Sequence, residues 1–166
     1  MFNIVLLEPE IALNTGNIGR TCSVSGAKLH LIRPLGFRLT EKEIKRAGLD
    51  YWEELNPAVY DDYDDFLGKN PTAKNRCFFA TTKAKNNYAG VTYNPGDYIM
   101  FGRESGGIPE ELLSVNKDTC IRIPMAHGKR SMNLSNSVAV ILYEALRQNA
   151  FIGLEEEGGL HRLEWK

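Results

Sequence analysis

The chain has 166 residues, 43% of them hydrophobic and 25% charged, which is the composition of one folded domain rather than a fibre or a disordered segment. Its 20 Lys and Arg against 21 Asp and Glu exclude a wholly basic nucleic-acid coat protein but leave room for a basic face on a neutral body. Cys22, Cys77 and Cys120 lie far apart without C-x-x-C spacing and read as reduced, buried thiols of a cytoplasmic protein.

The first element is Phe2-Asn3-Ile4-Val5-Leu6-Leu7, a buried-strand run that ends at Glu8-Pro9. It has no basic flank or cleavage site, so it does not read as a signal peptide, and no apolar run approaches the ~18–20 residues of a membrane span. Asn14-Thr15-Gly16-Asn17 supplies turn and cap chemistry, and Ile18 to Ser25 then predicts a helix stopped by Gly26. Lys28 to Ile32 reads as a second strand, and Thr40-Glu41-Lys42-Glu43 as the capped start of a basic helix ending near Gly48. A short strand at Ala58 to Tyr60 precedes acids that suit the start of a helix at Asp61 to Leu67.

Cys77 to Thr82 and Tyr98 to Phe101 read as strands, Ile108 to Leu113 as a short helix with Pro109 in its first turn, and Cys120 to Pro124 as the last strand. Leu134, Val138, Ile141, Leu142 and Ala145 fall at helical spacing, which predicts a long amphipathic helix over about 132–149. Strands alternating with helices give an α/β fold with a mainly parallel sheet and helices on both faces. The expected organisation is one domain over 1–152 with a polar tail at 153–166.

Charge is unevenly distributed. Six basic residues (Lys28, Arg33, Arg38, Lys42, Lys45, Arg46) occur between Lys28 and Arg46, and seven acids with no base lie between Asp50 and Asp65. They are either two solvated faces or a phosphate-contacting strip beside a repelling flank.

Three loops carry residues beyond what connectors need. Asn14 to Thr21 follows a strand and opens a helix, where free backbone N–H groups bind anions. It holds Gly-x-x-Gly and so lacks the dinucleotide fingerprint. Arg20 is there a surface cation or one aimed at phosphate or a developing alkoxide. Phe101-Gly102-Arg103-Glu104-Ser105-Gly106-Gly107-Ile108-Pro109 puts three glycines after a strand, where ligands approach open α/β sheets. Glu104 is either a ligand contact or a cap for the helix that follows. Ile121 to Pro124, then Met125 to Arg130 and Ser131-Met132-Asn133-Leu134-Ser135-Asn136-Ser137, carry more polar groups than one helix cap uses. Gly128-Lys129 is not a P-loop, because Ile123 and Arg130 break the pattern, and no nucleophile elbow is present. His30, His127 and His161 do not cluster with Cys, so no metal site is expected, and His127 reads as exposed loop.

Together these three segments, in this order, resemble the motifs of the SPOUT-class RNA 2′-O-ribose methyltransferases. Asn3 to Leu6, Glu8 to Ile11 and Arg46 to Tyr51 are similar to the small branch that acts on the tRNA wobble nucleotide. The resemblance spans about residues 2–150. It implies a C-terminal deep trefoil knot, a rare exception to unknotted chains. It implies S-adenosyl-L-methionine as methyl donor, bound bent by Ala80 or Thr81, Gly102, Ile123, Met125 and Ser131, with no metal. It implies a homodimer built largely on the long C-terminal helix, with Arg20 contributed by the partner subunit.

Transfer to a ribose 2′-hydroxyl requires alignment and stabilisation of negative charge on oxygen. A guanidinium, with a pKa of ~12.5 or higher, suits that stabilisation or a phosphate clamp better than it suits a base. By resemblance Asn14, Glu104, Ser131 and Asn133 orient the ribose, the arginine or the cofactor, and Tyr143 is either catalytic or packed in the dimer. Relatives often carry Pro or Lys at the place of Arg103, so this loop departs from the family pattern. With no appended RNA-binding domain, the anticodon stem-loop of a tRNA would meet Lys28, Arg38, Lys42, Lys45 and Arg46, with Arg103, Lys129 and Arg130 near the cofactor. The expected reaction is 2′-O-methylation of cytidine 34 or a modified uridine 34 in leucine tRNAs. The alternatives are another tRNA or rRNA position, a non-catalytic dimeric RNA-binding module, and a flavodoxin-like nucleotide-binding domain.

Overall fold

A computed structural model describes residues 1–38 and 52–166. Its strands are β1 (Asn3–Leu7), β2 (Lys28–Ile32), β3 (Ala58–Tyr60), β4 (Cys77–Ala80), β5 (Asn86–Asn87), β6 (Tyr98–Phe101) and β7 (Cys120–Arg122). The helices are α1 (Ala12–Ser25), α2 (Trp52–Leu55), α3 (Tyr63–Lys69), α4 (Glu110–Val115) and α5 (Leu134–Gln148), with 3₁₀ turns at Pro71–Lys74 and Tyr88–Gly90. The basic helix expected after Thr40, with Lys42, Lys45 and Arg46, lies outside the described residues.

The seven strands form one sheet in the order β3-β2-β1-β6-β4-β7-β5, and every pairing is parallel. A parallel sheet is covered on both faces, so its strands must be apolar on both. β1 meets this with five consecutive buried residues. Alternation then divides them: Ile4 and Leu6 join Ile99 and Phe101 under α1 and α5, while Val5 and Leu7 join Met100, Phe66, Ile108 and Leu113 on the other face.

Helix α1 begins at Ala12, six residues earlier than the sequence predicts, so Asn14 to Asn17 are helical and not a turn. Its first residue is preceded by Ile11, which gives no side-chain cap. The helix ends as expected: Gly26 is left-handed at φ 68° and, with Ala27, returns N–H groups to Ser23 and Cys22. Gly19 lets α2 pack close, since a Cβ there would stand 3.0 Å from the Trp52 ring. Asp62 caps α3 by accepting from Asp65 N–H, as its acids predict. α5 buries Val138, Ile141, Leu142 and Ala145 of the face read from its periodicity, and Leu146 with them, while Leu134 is half-buried.

One buried polar cluster lies under the second face. His30 Nδ1 is 2.8 Å from the Tyr60 hydroxyl, and its Nε2 is 3.2 Å from Asn3 Oδ1. Burial pushes the His30 pKa down to about 4, aided by the positive charge of Lys28.

Candidate active site

The carboxyl ends of β4, β6 and β7 feed the segments that start at Thr81, Gly102 and Ile123, and these converge on one cleft of about 710 Å³. That volume lies within the ~300–1,000 Å³ range of cofactor sites, at the sheet edge where open α/β folds bind ligands. All six residues expected to hold the cofactor, Ala80, Thr81, Gly102, Ile123, Met125 and Ser131, line it. Asn14, Glu104 and Asn133 line it as well. Phe101, Ile108, Leu134 and Ile141 supply apolar wall that motif reading did not single out.

The glycine-rich segment is a tight hairpin. Gly107 N–H donates to the Arg103 carbonyl at 2.8 Å, and Arg103 and Gly107 form an antiparallel bridge. Gly107 is left-handed at φ 67°. A Cβ on Gly102 would lie 2.1 Å from the Gly107 carbonyl carbon and 2.3 Å from Ile108 N, so only glycine fits at the base of this turn.

Glu104 joins this hairpin to α1. Its carboxylate accepts from Glu10 N–H at 2.8 Å, from Ile11 N–H at 3.3 Å and from Asn14 Nδ2 at 3.0 Å. It therefore serves the entrance of α1, where Ile11 offers no cap, and not the α4 helix that follows it in sequence. Asn14 Oδ1 in turn accepts from Asn133 Nδ2 at 3.0 Å. Asn133 Oδ1 caps α5 by accepting from Ser135 N–H at 2.9 Å and the Ser135 hydroxyl at 2.7 Å.

The direction of this relay is dictated by chemistry. An ionised carboxylate only accepts, so Asn14 must turn its amide nitrogen to Glu104 and its oxygen to Asn133. Asn133 must then offer nitrogen to Asn14 and keep oxygen for the helix cap. Neither amide can flip without facing like against like. The three motif segments are thus held in one register by two asparagines and one glutamate.

Glu10 adds a second tie that the sequence did not reveal. It accepts from Ser105 N–H and from the Ser105 hydroxyl, both at 2.8 Å, and these bonds hold its carboxyl below the usual range. Lys83, also in the cleft, pairs with Glu110 of α4 at 2.8 Å and lowers the Glu110 pKa. Its signal was position alone, three residues past the end of β4.

Other expected site residues stand apart. Arg20 is exposed on α1 and Tyr143 is 43% exposed on α5, and neither lines the cleft. Arg103 and Arg130 do line it, and Arg103 reaches Glu8 at 3.4 Å. Lys129 is exposed beside Arg130, within the same loop as exposed His127. Lys28 opens β2 at the amino edge of the sheet, opposite the cleft, while Arg38 is exposed beyond the strand's other end. Arg33 of the basic strip is paired with Asp61 at 3.0 Å. Among the described residues, no group of His, Cys, Asp and Glu could hold a metal ion, and no helix is long and apolar enough to cross a membrane.

Comparison with known proteins agrees with this arrangement. A tRNA (cytidine(34)-2′-O)-methyltransferase of Photorhabdus asymbiotica is 49% identical, over 92% of this chain and 97% of that protein. A solved structure concerned with the 2-OH methylation of C/U34 on tRNA is 41% identical, with a TM-score of 0.83 over 90% of this chain and 97% of the other. A crystal structure of a candidate RNA methyltransferase from Bacillus anthracis is 43% identical, with a TM-score of 0.89 over 95% and 99%. The model of the SpoU rRNA methylase family matches residues 1–143, which include both asparagines and the glutamate of the relay. The chain therefore belongs to the SpoU methylase family and has its α/β SPOUT fold.

Proposed function

We propose that the chain is an S-adenosyl-L-methionine-dependent tRNA methyltransferase that methylates the ribose 2′-hydroxyl of the wobble nucleotide, residue 34, in leucine tRNAs. The observation that carries this reading is the convergence of the three motif segments on one cleft, tied through Glu104, Asn14 and Asn133. The names of relatives 43–49% identical to the chain support the tRNA and the position. The cleft suits the methyl donor: apolar wall from Phe101, Ile108, Leu134 and Ile141 matches an adenine ring, and exposed polar groups of Arg130 and Ser131 match a charged amino-acid end. When bound, that group supplies a methyl already activated by its sulfonium charge.

The protein's own task is alignment and charge. Ala80, Thr81, Gly102, Ile123, Met125 and Ser131 hold the donor. Glu104, Asn14 and Asn133 fix the segments that border it. Arg20, supplied across a homodimer interface, stabilises the negative charge that develops on the attacking oxygen, and Tyr143 of α5 either joins that site or packs in the interface. That Arg20 is exposed and does not line its own cleft supports a composite site, because a catalytic guanidinium must reach the reacting oxygen. The tRNA anticodon stem-loop is held by Arg103 and Arg130 at the cleft, by Lys129 beside Arg130, and by Arg38, Lys42, Lys45 and Arg46. The catalytic domain is residues 1–152, including the trefoil knot, and the enzyme works in the cytoplasm.

Transfer of labelled methyl to tRNA lacking the modification, with nuclease mapping of the product, tests the reading. Label at 2′-O of nucleotide 34, abolished by Arg20→Ala with cofactor binding kept, is the expected result. Label at another position refutes the substrate. Failure to bind S-adenosyl-L-methionine refutes the enzyme.

A further inference from the structure

We infer that Glu10 is a positioning residue for the donor cleft, acting by clamping the tip of the glycine-rich hairpin through Ser105. The inference rests on the methyltransferase reading above. Ser105 and Gly106, at the hairpin tip, are exposed, so no apolar packing anchors them. Both bonds that hold Ser105 end on Glu10: its N–H on one carboxylate oxygen and its hydroxyl on the other, each at 2.8 Å. Bonds to an ionised acceptor are about twice as strong as neutral ones, and two of them fix orientation as well as distance.

The clamp is reciprocal. Glu104, the residue before Ser105, returns its own carboxylate to the backbone N–H groups of Glu10 and Ile11. Each of the two segments thus holds the other's backbone with a side chain. Glu10 is itself pinned. The preceding Pro9 carbonyl accepts from Gly36 N–H at 2.9 Å, and a Cβ on Gly36 would stand 2.6 Å from the Glu10 carbonyl oxygen. The segment after β1 thus has a further tie through Gly36, and through Glu10 it holds the tip of the hairpin. Gly102, Ser105 and Gly107 of that hairpin all line the cleft, so its shape at that wall follows from the carboxylate of a residue far away in sequence.

Calorimetric titration of the full chain with S-adenosylhomocysteine, and steady-state methyl transfer, test this. Glu10→Ala is expected to raise Kd and the donor KM about tenfold, with kcat at saturation kept within about threefold. Glu10→Gln should rescue, because its amide oxygen accepts from Ser105 N–H while its nitrogen meets a rotated Ser105 hydroxyl. Ser105→Ala, which loses one bond of two, should fall between. A merely structural role would instead lower the thermal midpoint and leave Kd unchanged, and that result overturns the inference. So does a wild-type Kd in Glu10→Ala. If Glu10→Ala does not fold, Ser105→Ala decides, and an unchanged Kd there refutes the clamp. A wild-type chain that binds no S-adenosylhomocysteine refutes the proposed function, and the clamp's role with it.

Discussion

Adding one methyl group at Gly102 should cost this protein more than its size suggests. The Cβ of Gly102→Ala would meet the Gly107 carbonyl carbon at 2.1 Å, Ile108 N at 2.3 Å and the Gly107 oxygen at 2.4 Å. Carbon atoms pack at about 3.5–4.0 Å, so the two backbone runs must separate by more than about 1 Å. None of the three atoms belongs to a flexible side chain. Overpacking of this kind costs typically ~1–3 kcal/mol, and backbone-on-backbone contact places Gly102→Ala at the upper end. The displaced atoms belong to the cleft wall, and a shift of about 1 Å at a reacting site can lose about a hundredfold in rate. Thermal unfolding should therefore fall by several degrees, while methyl transfer and donor binding drop far more. Calorimetry on the folded variant separates the two effects. A variant that is as stable as wild type and binds S-adenosyl-L-methionine equally well would refute the tight-turn reading of Gly102.

Three further outcomes are expected. Asn133→Asp keeps the oxygen acceptors that cap α5 but sets an acceptor against Asn14 Oδ1; stability should change little while kcat falls, whereas Asn133→Ala should also lose ~1 kcal/mol of stability in urea unfolding. His30 titrates at about 4 in the folded chain and near 6.5 when unfolded, so the unfolded chain binds the extra proton between these values. Its contribution is complete above pH 6.5 and is lost as pH falls toward 4, about 3 kcal/mol in all. Denaturant midpoints for His30→Gln should accordingly decline less over that window than those of wild type; identical slopes would refute it. Arg130→Ala should weaken tRNA binding across sequences and reduce the slope of log Kd against log salt by about one phosphate contact, measured by filter binding at several salt concentrations.

The strands were legible because a parallel sheet demands largely apolar runs, and β1 and β6 are written that way, while β2 stays readable with the buried His30 among its apolar residues. The start of α1 was not. Asn14, Thr15, Gly16 and Asn17 are poor helix formers, and local propensity assigns them to a turn. In the fold, Thr15 and Gly16 are buried under the sheet face and Asn14 is fixed by Glu104, ninety residues along the chain. Long-range packing overrules propensity there, and no local pattern announces it. β5, two residues long, was equally hidden. It is held by its pairing with β7 and by Asn86 Nδ2 donating to the Asp118 and Cys120 carbonyls.

The cleft residues could be named from their motifs, but what each one does depends on the partner it meets. Glu104 illustrates the difference. Its place after a strand and beside three glycines marked it as a ligand contact or as a cap for α4. Its bonds run to α1 rather than to α4, whose entrance is left to Pro109, while the residue itself lines the cleft. A carboxylate that can only accept, facing donors from another segment, sets the orientation of Asn14; the α5 cap sets that of Asn133, and the two agree across their shared bond. Glu104 at the α1 entrance and Asn133 at the α5 entrance thereby tie the start of the helix bearing Arg20 to the start of the helix bearing Tyr143. Replacing Glu104 with Gln would set an amide nitrogen against at least one of the three donors it now accepts from and loosen the tie to α1, while the α5 cap still holds Asn133 in place. The chemistry of the site thus depends less on having these residue types together than on the direction in which each hydrogen bond points, which only the folded chain specifies.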